Sequence, residues 1–201
     1  PCRLVYEAEG RKAELLSPKD LCTLDLLPDM IEHGVVSLKI EGRMKTEYYV
    51  ASIVSGYRHL IDEIYEYGGR LPEERMAYHR AQIMKGENRE VCEGFYPGIA
   101  GAGTIIRNTT SDASVNHGFL ATVVSFDEAN MNAIIETRNP FDTGDEMEIL
   151  SPGMECRTFT LTSMKDLKDD SDLTASRRPM AQLLIPVPFE VRAGDIVRKA
   201  V

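Results

Sequence analysis

Cysteine is scarce in this chain and widely spread. Cys2, Cys22, Cys92 and Cys156 are the four in 201 residues, and no two form a C-x-x-C pair. That excludes the dense thiol framework of a small secreted domain, so a reducing cytoplasm is the expected compartment. No apolar run approaches the roughly 18 residues needed to cross a bilayer, so no membrane partner is expected; no signal peptide opens the chain, which in a piece of a longer protein says nothing of targeting. The sequence has no H-E-x-x-H, G-x-S-x-G, P-loop or dinucleotide fingerprint. Its four histidines, His33, His59, His79 and His117, lack metal-ligand spacing and read as surface or boundary residues. Asp142-Thr143-Gly144 has the letters of an aspartic-protease loop, but such enzymes need two carboxylates sharing one proton. The echo at Arg192-Ala193-Gly194 has no Asp at the matching place, so both copies read as turns.

What is present fits a globular protein, with 43% hydrophobic and 27% charged residues. The chain starts at Pro1 rather than Met, and it is expected to be a piece of a longer protein. Net charge is −9 and unevenly spread: residues 1–85 hold 12 basic and 14 acidic side chains, residues 86–201 hold 11 and 18. An acidic second half argues against broad, phosphate-driven nucleic-acid binding there.

Three regions follow from the patterning: 1–85, a linker over 86–115, and 116–201. Leu4-Val5-Tyr6 and Ala13-Glu14-Leu15-Leu16 read as an extended pair around Glu9-Gly10-Arg11-Lys12. Ser17-Pro18-Lys19-Asp20 reads as a helix start, and a second short helix is expected after Pro28, stopping at Gly34. Thr46 should cap a long helix in which Tyr49, Ile53, Tyr57, Leu60, Ile61 and Ile64 form a core stripe, ended by Gly68-Gly69. A third helix runs from Pro72 to Gly86. Glycine-rich 94–103 and Asn108-Thr109-Thr110-Ser111 mark the linker. From Gly118 short strands recur, at 119–126, 131–138, 146–150, 157–162, 181–186 and 195–199, which indicates a small closed barrel. Gly144-Asp145 and Gly194-Asp195 repeat one turn ahead of two of them, and Lys165–Arg178 reads as a polar, mobile loop.

The stretch Val35-Val36-Ser37-Leu38-Lys39-Ile40-Glu41-Gly42-Arg43-Met44-Lys45 carries the candidate chemistry. Val36, Leu38 and Ile40 alternate with Ser37, Lys39 and Glu41, as in a strand with one packed face. It ends beside a helix, where a parallel β/α architecture has its functional rim. Lys39 and Glu41 are therefore either rim residues or part of a solvated face with a weak ion pair. Cys22 is similarly either a free buried thiol or a ligand to a soft metal centre.

Pro1-Cys2-Arg3, Ser17-Pro18-Lys19-Asp20-Leu21-Cys22, Ser37-Leu38-Lys39-Ile40-Glu41-Gly42-Arg43-Met44-Lys45, Tyr48-Tyr49-Val50 and Tyr57-Arg58 together resemble the collagenase-like peptidase family U-32. Asn88-Arg89, Gly94-Phe95-Tyr96, Arg138-Asn139-Pro140-Phe141 and Glu148-Ile149-Leu150 extend the likeness over nearly the whole chain, with Cys92 and Glu93 departing from the linker pattern. The resemblance implies an α+β chain, the C-terminal remnant of a β/α barrel followed by a small antiparallel β-barrel similar to the second domain of elongation factor Tu. It implies an upstream cysteine-rich signature ending at Cys2, and relatives that hydroxylate tRNA uridine, other RNA bases or the ubiquinone ring. Those relatives are thought to hold an iron–sulfur cluster on four cysteines, one in the position of Cys22, with Cys2 a further candidate. About four thiolates are needed, so this chain alone should not complete such a site.

Three readings follow. The first is an RNA-modifying enzyme in its full-length form, hydroxylating a tRNA uridine. Lys39, Glu41 and Arg43 would then be catalytic, and Lys45 and Arg58 would contact the substrate. Arg suits a bidentate phosphate contact and Lys a point contact. The second is a peptidase acting on collagen-like or other protein substrates. The third makes the acidic barrel a non-catalytic docking module for a macromolecular partner.

Overall fold

The computed structural model describes residues 4–14, 16–86, 89–105 and 118–200. Cys2, His117 and the 108–111 stretch lie outside the described residues. The chain divides into two compact units, one of residues 1–41 and 56–116, the other of 42–55 and 117–201.

The first unit opens on a hairpin, β1 (Tyr6–Ala8) against β2 (Arg11–Ala13). Its two-residue turn has positive φ at Glu9 and Gly10. The strands close more tightly than the sequence suggested, because Arg11 and Lys12 pair with Ala8 and Glu7 instead of forming the turn.

Ser17-Pro18 does not start a helix. Pro18 bridges to Ile105, and Lys19 and Asp20 donate their N–H groups to the Thr104 and Glu90 carbonyls, both at 2.9 Å. Those amides are committed to neighbouring chain, so no helical turn can form there. Asp20–Leu21 instead forms β3, and the helical turn waits for Leu24–Leu26 and α1 (Leu27–Glu32), which ends at Gly34 with φ +84°. Residues 35–41 are extended but are not a strand. Alternation alone cannot hold a strand, since its amides and carbonyls need a partner. Among the described residues no strand pairs with 35–41, and Val36, expected on the packed face, is 97% exposed.

α2 (Glu47–Tyr67) ends at Gly68, with φ +69°, and α3 (Glu73–Met84) follows Pro72. The later turns of α2 lie tight against α3. A Cβ on Gly56 would stand 2.4 Å from Ile83 Cγ1, and Leu60, Ile64, Met76 and Ile83 are buried. One polar cluster joins the two helices: Arg75 Nε donates to Glu63 Oε1 at 2.8 Å, and His79, 2% exposed, bonds the other Glu63 oxygen through Nε2. β4 (Val91–Cys92) pairs in parallel with β3, and Arg89 donates to Ser17 Oγ at 2.7 Å.

In the second unit the strands are β5 (Phe119–Asp127), β6 (Asn132–Thr137), β7 (Phe141–Asp142), β8 (Glu146–Leu150), β9 (Arg157–Thr160), β10 (Met164–Asp166), β11 (Ser171–Leu173), β12 (Ala175–Ser176), β13 (Gln182–Pro186) and β14 (Ile196–Lys199). Among the described residues eight of them form a curled antiparallel sheet in the order β11-β10-β13-β6-β5-β14-β8-β9, with β7 and β12 paired beside it. Its inward positions, including Val123, Ile135, Met147, Leu161, Leu183, Ile185 and Val197, make one core. The antiparallel barrel expected from the spacing is present, and the fold is α+β. Lys165–Arg178 is not a loop: β10 and β11 form a hairpin within it, paired Met164↔Leu173 through Asp166↔Ser171. Its polarity hid a short strand pair with one buried edge, at Met164 and Asp166.

The repeated Gly-Asp turn is a repeat of hydrogen bonds as well. Asp145 Oδ2 accepts from the Asp142 N–H at 2.9 Å, and Asp195 Oδ2 accepts from the Arg192 N–H at 2.9 Å. Gly144 and Gly194 sit at φ +95° and +93°, where a side chain would be strained. The Asp142-Thr143-Gly144 letters thus belong to a strand turn, and Asp142 is paired with Arg177.

Burial pushes the Glu63 carboxyl up, but hydrogen bonds from Arg75 and His79, and then their charge, hold it below its ordinary value of 4.5. Stability from this group is therefore fully present above pH 4.5 and is lost as pH falls through the depressed folded-state value. Urea unfolding from pH 7 to pH 3 is expected to show that loss in the wild type and a flatter profile in Glu63→Gln.

Candidate functional site

Gly42 to Lys45 turns the chain into α2. Lys45 N–H donates to the Gly42 carbonyl at 2.9 Å, and a Cβ on Gly42 would stand 2.8 Å from Val50 Cγ2, so the turn requires the glycine. Thr46 then caps the helix as its sequence position predicts, Oγ1 accepting from the Tyr49 N–H at 3.2 Å. Arg43 is exposed and Met44 is 89% exposed. Lys45 is half-buried, its Nζ 4.6 Å from the centre of the Tyr49 ring.

The first turns of α2 are fixed from the opposite side. Tyr48 stacks on Phe119 with ring centres 5.2 Å apart and planes 7° from parallel, and Leu150 and Ile196 close around them. Beside this contact lies a buried ion pair. Arg198 on β14 stands directly across from Glu148 on β8, and its Nε donates to Glu148 Oε2 at 3.1 Å, with 2% and 3% of the two side chains exposed. The same guanidinium donates to Ser52 Oγ of α2 at 3.4 Å and to Cys156 Sγ at 3.2 Å. Burial works against the charge on Arg198, but Cys156, Glu148 and Tyr48 hold its proton, and its pKa lies above the usual arginine value. Burial also pushes the Tyr48 hydroxyl up against the pull of Arg198 and Ser52, so both partners stay protonated at neutral pH. Removing either member of such a pair leaves an uncompensated charge and costs about 3–5 kcal/mol.

Lys39 and Glu41, expected on a strand, are exposed on the extended 35–41 stretch. Arg43 and Lys45 share the turn before α2. Arg58 is exposed on α2 and forks onto Asp62 one turn on, Nε to Oδ2 at 3.0 Å. Cys22 is half-buried just after β3, its N–H bonded to the Cys92 carbonyl at 2.9 Å and its sulfur 3.7 Å from Tyr57 Oη. The Thr23 N–H donates to that same hydroxyl at 3.2 Å, and burial, followed by the nearby Cys22, raises its pKa. A cluster takes about four thiolates, and among the described residues no group of three or more His, Cys, Asp or Glu could hold a metal. The described residues therefore do not fit a complete iron–sulfur site.

In the second unit Arg43 and Lys45 are presented from a turn that leads into an anchored helix start, where an Arg fork can contact phosphate or carboxylate groups. In the first unit Lys39 and Glu41 lie exposed on the extended 35–41 stretch, where Glu41 can accept a hydrogen bond. Sequence reasoning missed Arg198, Glu148 and Ser52. Their signal was a charged residue in each of two apolar strands, Ile196-Val197-Arg198 and Met147-Glu148-Ile149. Only the pairing register shows that the two charges meet.

Comparison with known proteins agrees along the whole length. Residues 1–105 match the model of peptidase family U32, and residues 115–198 match the model of that family's C-terminal domain. The tRNA hydroxylation protein P1 of Bacillus subtilis is 33% identical over 212 residues, covering 97% of this chain and 48% of that protein. The 23S rRNA 5-hydroxycytidine synthase of Escherichia coli is 42% identical over 77 residues, 35% of this chain and 12% of that protein. A collagenase of Porphyromonas gingivalis is 31% identical over 104 residues, 48% of this chain and 28% of that protein. The chain thus spans about half the length of the first of these relatives and less of the others. It belongs to peptidase family U32, and its residues 115–198 are the C-terminal domain of that family.

Proposed function

We propose that the full-length protein is an RNA-modifying enzyme that hydroxylates a tRNA base, a uridine at C5. The observation that carries this reading is the similarity to a tRNA hydroxylation protein, sustained over 97% of the chain. In this reading Lys39, Glu41 and Arg43 act at the substrate. Arg43 and Lys45 engage backbone phosphates, one as a fork and one as a point charge, and Glu41 orients them or serves as a base. Arg58 adds a further contact. The acidic residues 86–201 are poorly suited to broad phosphate binding, which favours recognition through local basic residues such as Arg43 and Lys45.

The peptidase reading draws on the collagenases, whose similarity reaches 48% of the chain. No metalloprotease or serine-hydrolase motif supports it.

The decisive comparison is nucleoside mass spectrometry of tRNA from cells carrying wild-type, Glu41→Ala or Arg43→Ala full-length protein. Loss of the hydroxylated nucleoside in both variants, with unfolding unchanged, is the expected result. Unchanged modification in both rejects the site, and cleavage of a peptide panel by the purified protein selects the peptidase instead.

For the full-length protein we also propose an iron–sulfur cluster with Cys22 as one ligand. A half-buried thiol beside the Tyr57 hydroxyl supports this. Cys2 is proposed as a second ligand on the resemblance alone. Iron in the anaerobically purified protein should fall in Cys22→Ser, whereas iron content equal to wild type removes Cys22 from the ligand set.

A further inference from the structure

We propose that Arg198 is a positioning residue: from within the barrel it fixes the first turns of α2 and so aims the Gly42–Lys45 turn that presents Arg43 and Lys45. The relevance to substrate rests on the function proposed above, whereas the mechanical claim does not.

The argument starts from what a buried arginine can do that an apolar side chain cannot. An apolar pair of similar volume in place of Arg198 and Glu148 would fill the same space without desolvating two charges. It would lack direction. The guanidinium has donors in fixed in-plane positions, and three of them are used on three different segments: Glu148 of β8, Cys156 of the turn after it, and Ser52 of α2. The contact with Ser52 specifies which way the helix faces, and the Tyr48 hydroxyl, hydrogen-bonded to both Arg198 and Ser52, belongs to the same contact.

Ser52 lies six residues after Thr46, about 9 Å along a helix axis. The chain between them is helix and held at its start. The Thr46 cap holds the helix start, Lys45 lies over the Tyr49 ring, and Gly42 is pressed against Val50. A rotation of α2 about its axis would therefore carry Arg43 and Lys45 with it. The barrel thus contributes to the site by holding the turn in place, and it need not touch the substrate to do so.

The test is amide hydrogen exchange, read by mass spectrometry on the full-length protein. Three variants are compared with wild type: Ser52→Ala, Ser52→Thr, and the double change Arg198→Met with Glu148→Leu. We expect exchange over residues 43–50 to be about tenfold faster in Ser52→Ala and in the double variant, with β5 and β6 as protected as before. Ser52→Thr, which keeps the hydroxyl, should restore protection. In the hydroxylation assay, KM for tRNA should rise in Ser52→Ala and return in Ser52→Thr. Wild-type protection over 43–50 in Ser52→Ala overturns the proposal, as does loosening of β5 and β6 to the same degree. Should the double variant fail to fold, Ser52→Ala and Ser52→Thr decide the matter alone. The exchange measurement needs no substrate, so a wild-type protein without hydroxylase activity would remove the function and leave the positioning role standing.

Discussion

A single buried guanidinium organises the second unit. Arg198 is 1% exposed in a strand whose neighbours Ile196 and Val197 are also buried, and it donates to Glu148, Ser52 and Cys156. Taking that charge out of water is costly, and Glu148 offsets the cost only because β8 and β14 place the two side chains directly opposite each other. The pairing register is therefore not free to slip. A shift of one residue would turn Arg198 to the other face and leave two charges buried and apart. Through Ser52 the same interaction reaches α2, so the strand register and the helix orientation are fixed together.

This changes the meaning of the stretch from Val35 to Lys45. Read as a strand, 35–41 would owe its geometry to hydrogen bonds along its own edge. In the structure it is extended, with Val36, Lys39 and Glu41 exposed and Leu38 and Ile40 half-buried, and a helix start follows at Gly42, Thr46 and Tyr49. Arg43 and Lys45 are thus displayed from a fixed turn of the second unit rather than from a sheet rim. A small barrel that grips the start of α2 gives precision to that turn.

Legibility in the sequence tracked how local the cause was. The long helix could be read from its stripe and its Thr46 cap, because both act within one or two turns. The Gly-Asp turns were readable because a positive φ demands glycine and the Asp carboxylate bonds an amide three residues back. Errors arose where partners are distant. Lys19 and Asp20 looked free to begin a helix, yet their amides belong to residues 104 and 90. Val36 looked like a buried strand residue because alternation says nothing about whether a partner strand exists. Met164 to Leu173 looked like a loop because its hairpin is short and mostly polar. Of the candidate site, the exposed charges could be named from spacing, but Arg198, Glu148 and Ser52 could not. Their meeting joins residues 50 and 146 positions apart, and no local pattern encodes it.

The most direct test of the anchoring is a double-mutant cycle across Arg198 and Ser52, with urea unfolding of wild type, Arg198→Met, Ser52→Ala and the combined variant. If the guanidinium holds the helix, the two changes are non-additive by about 1 kcal/mol. If their effects simply add, Arg198 and Ser52 do not act on one another and the helix is oriented by packing alone.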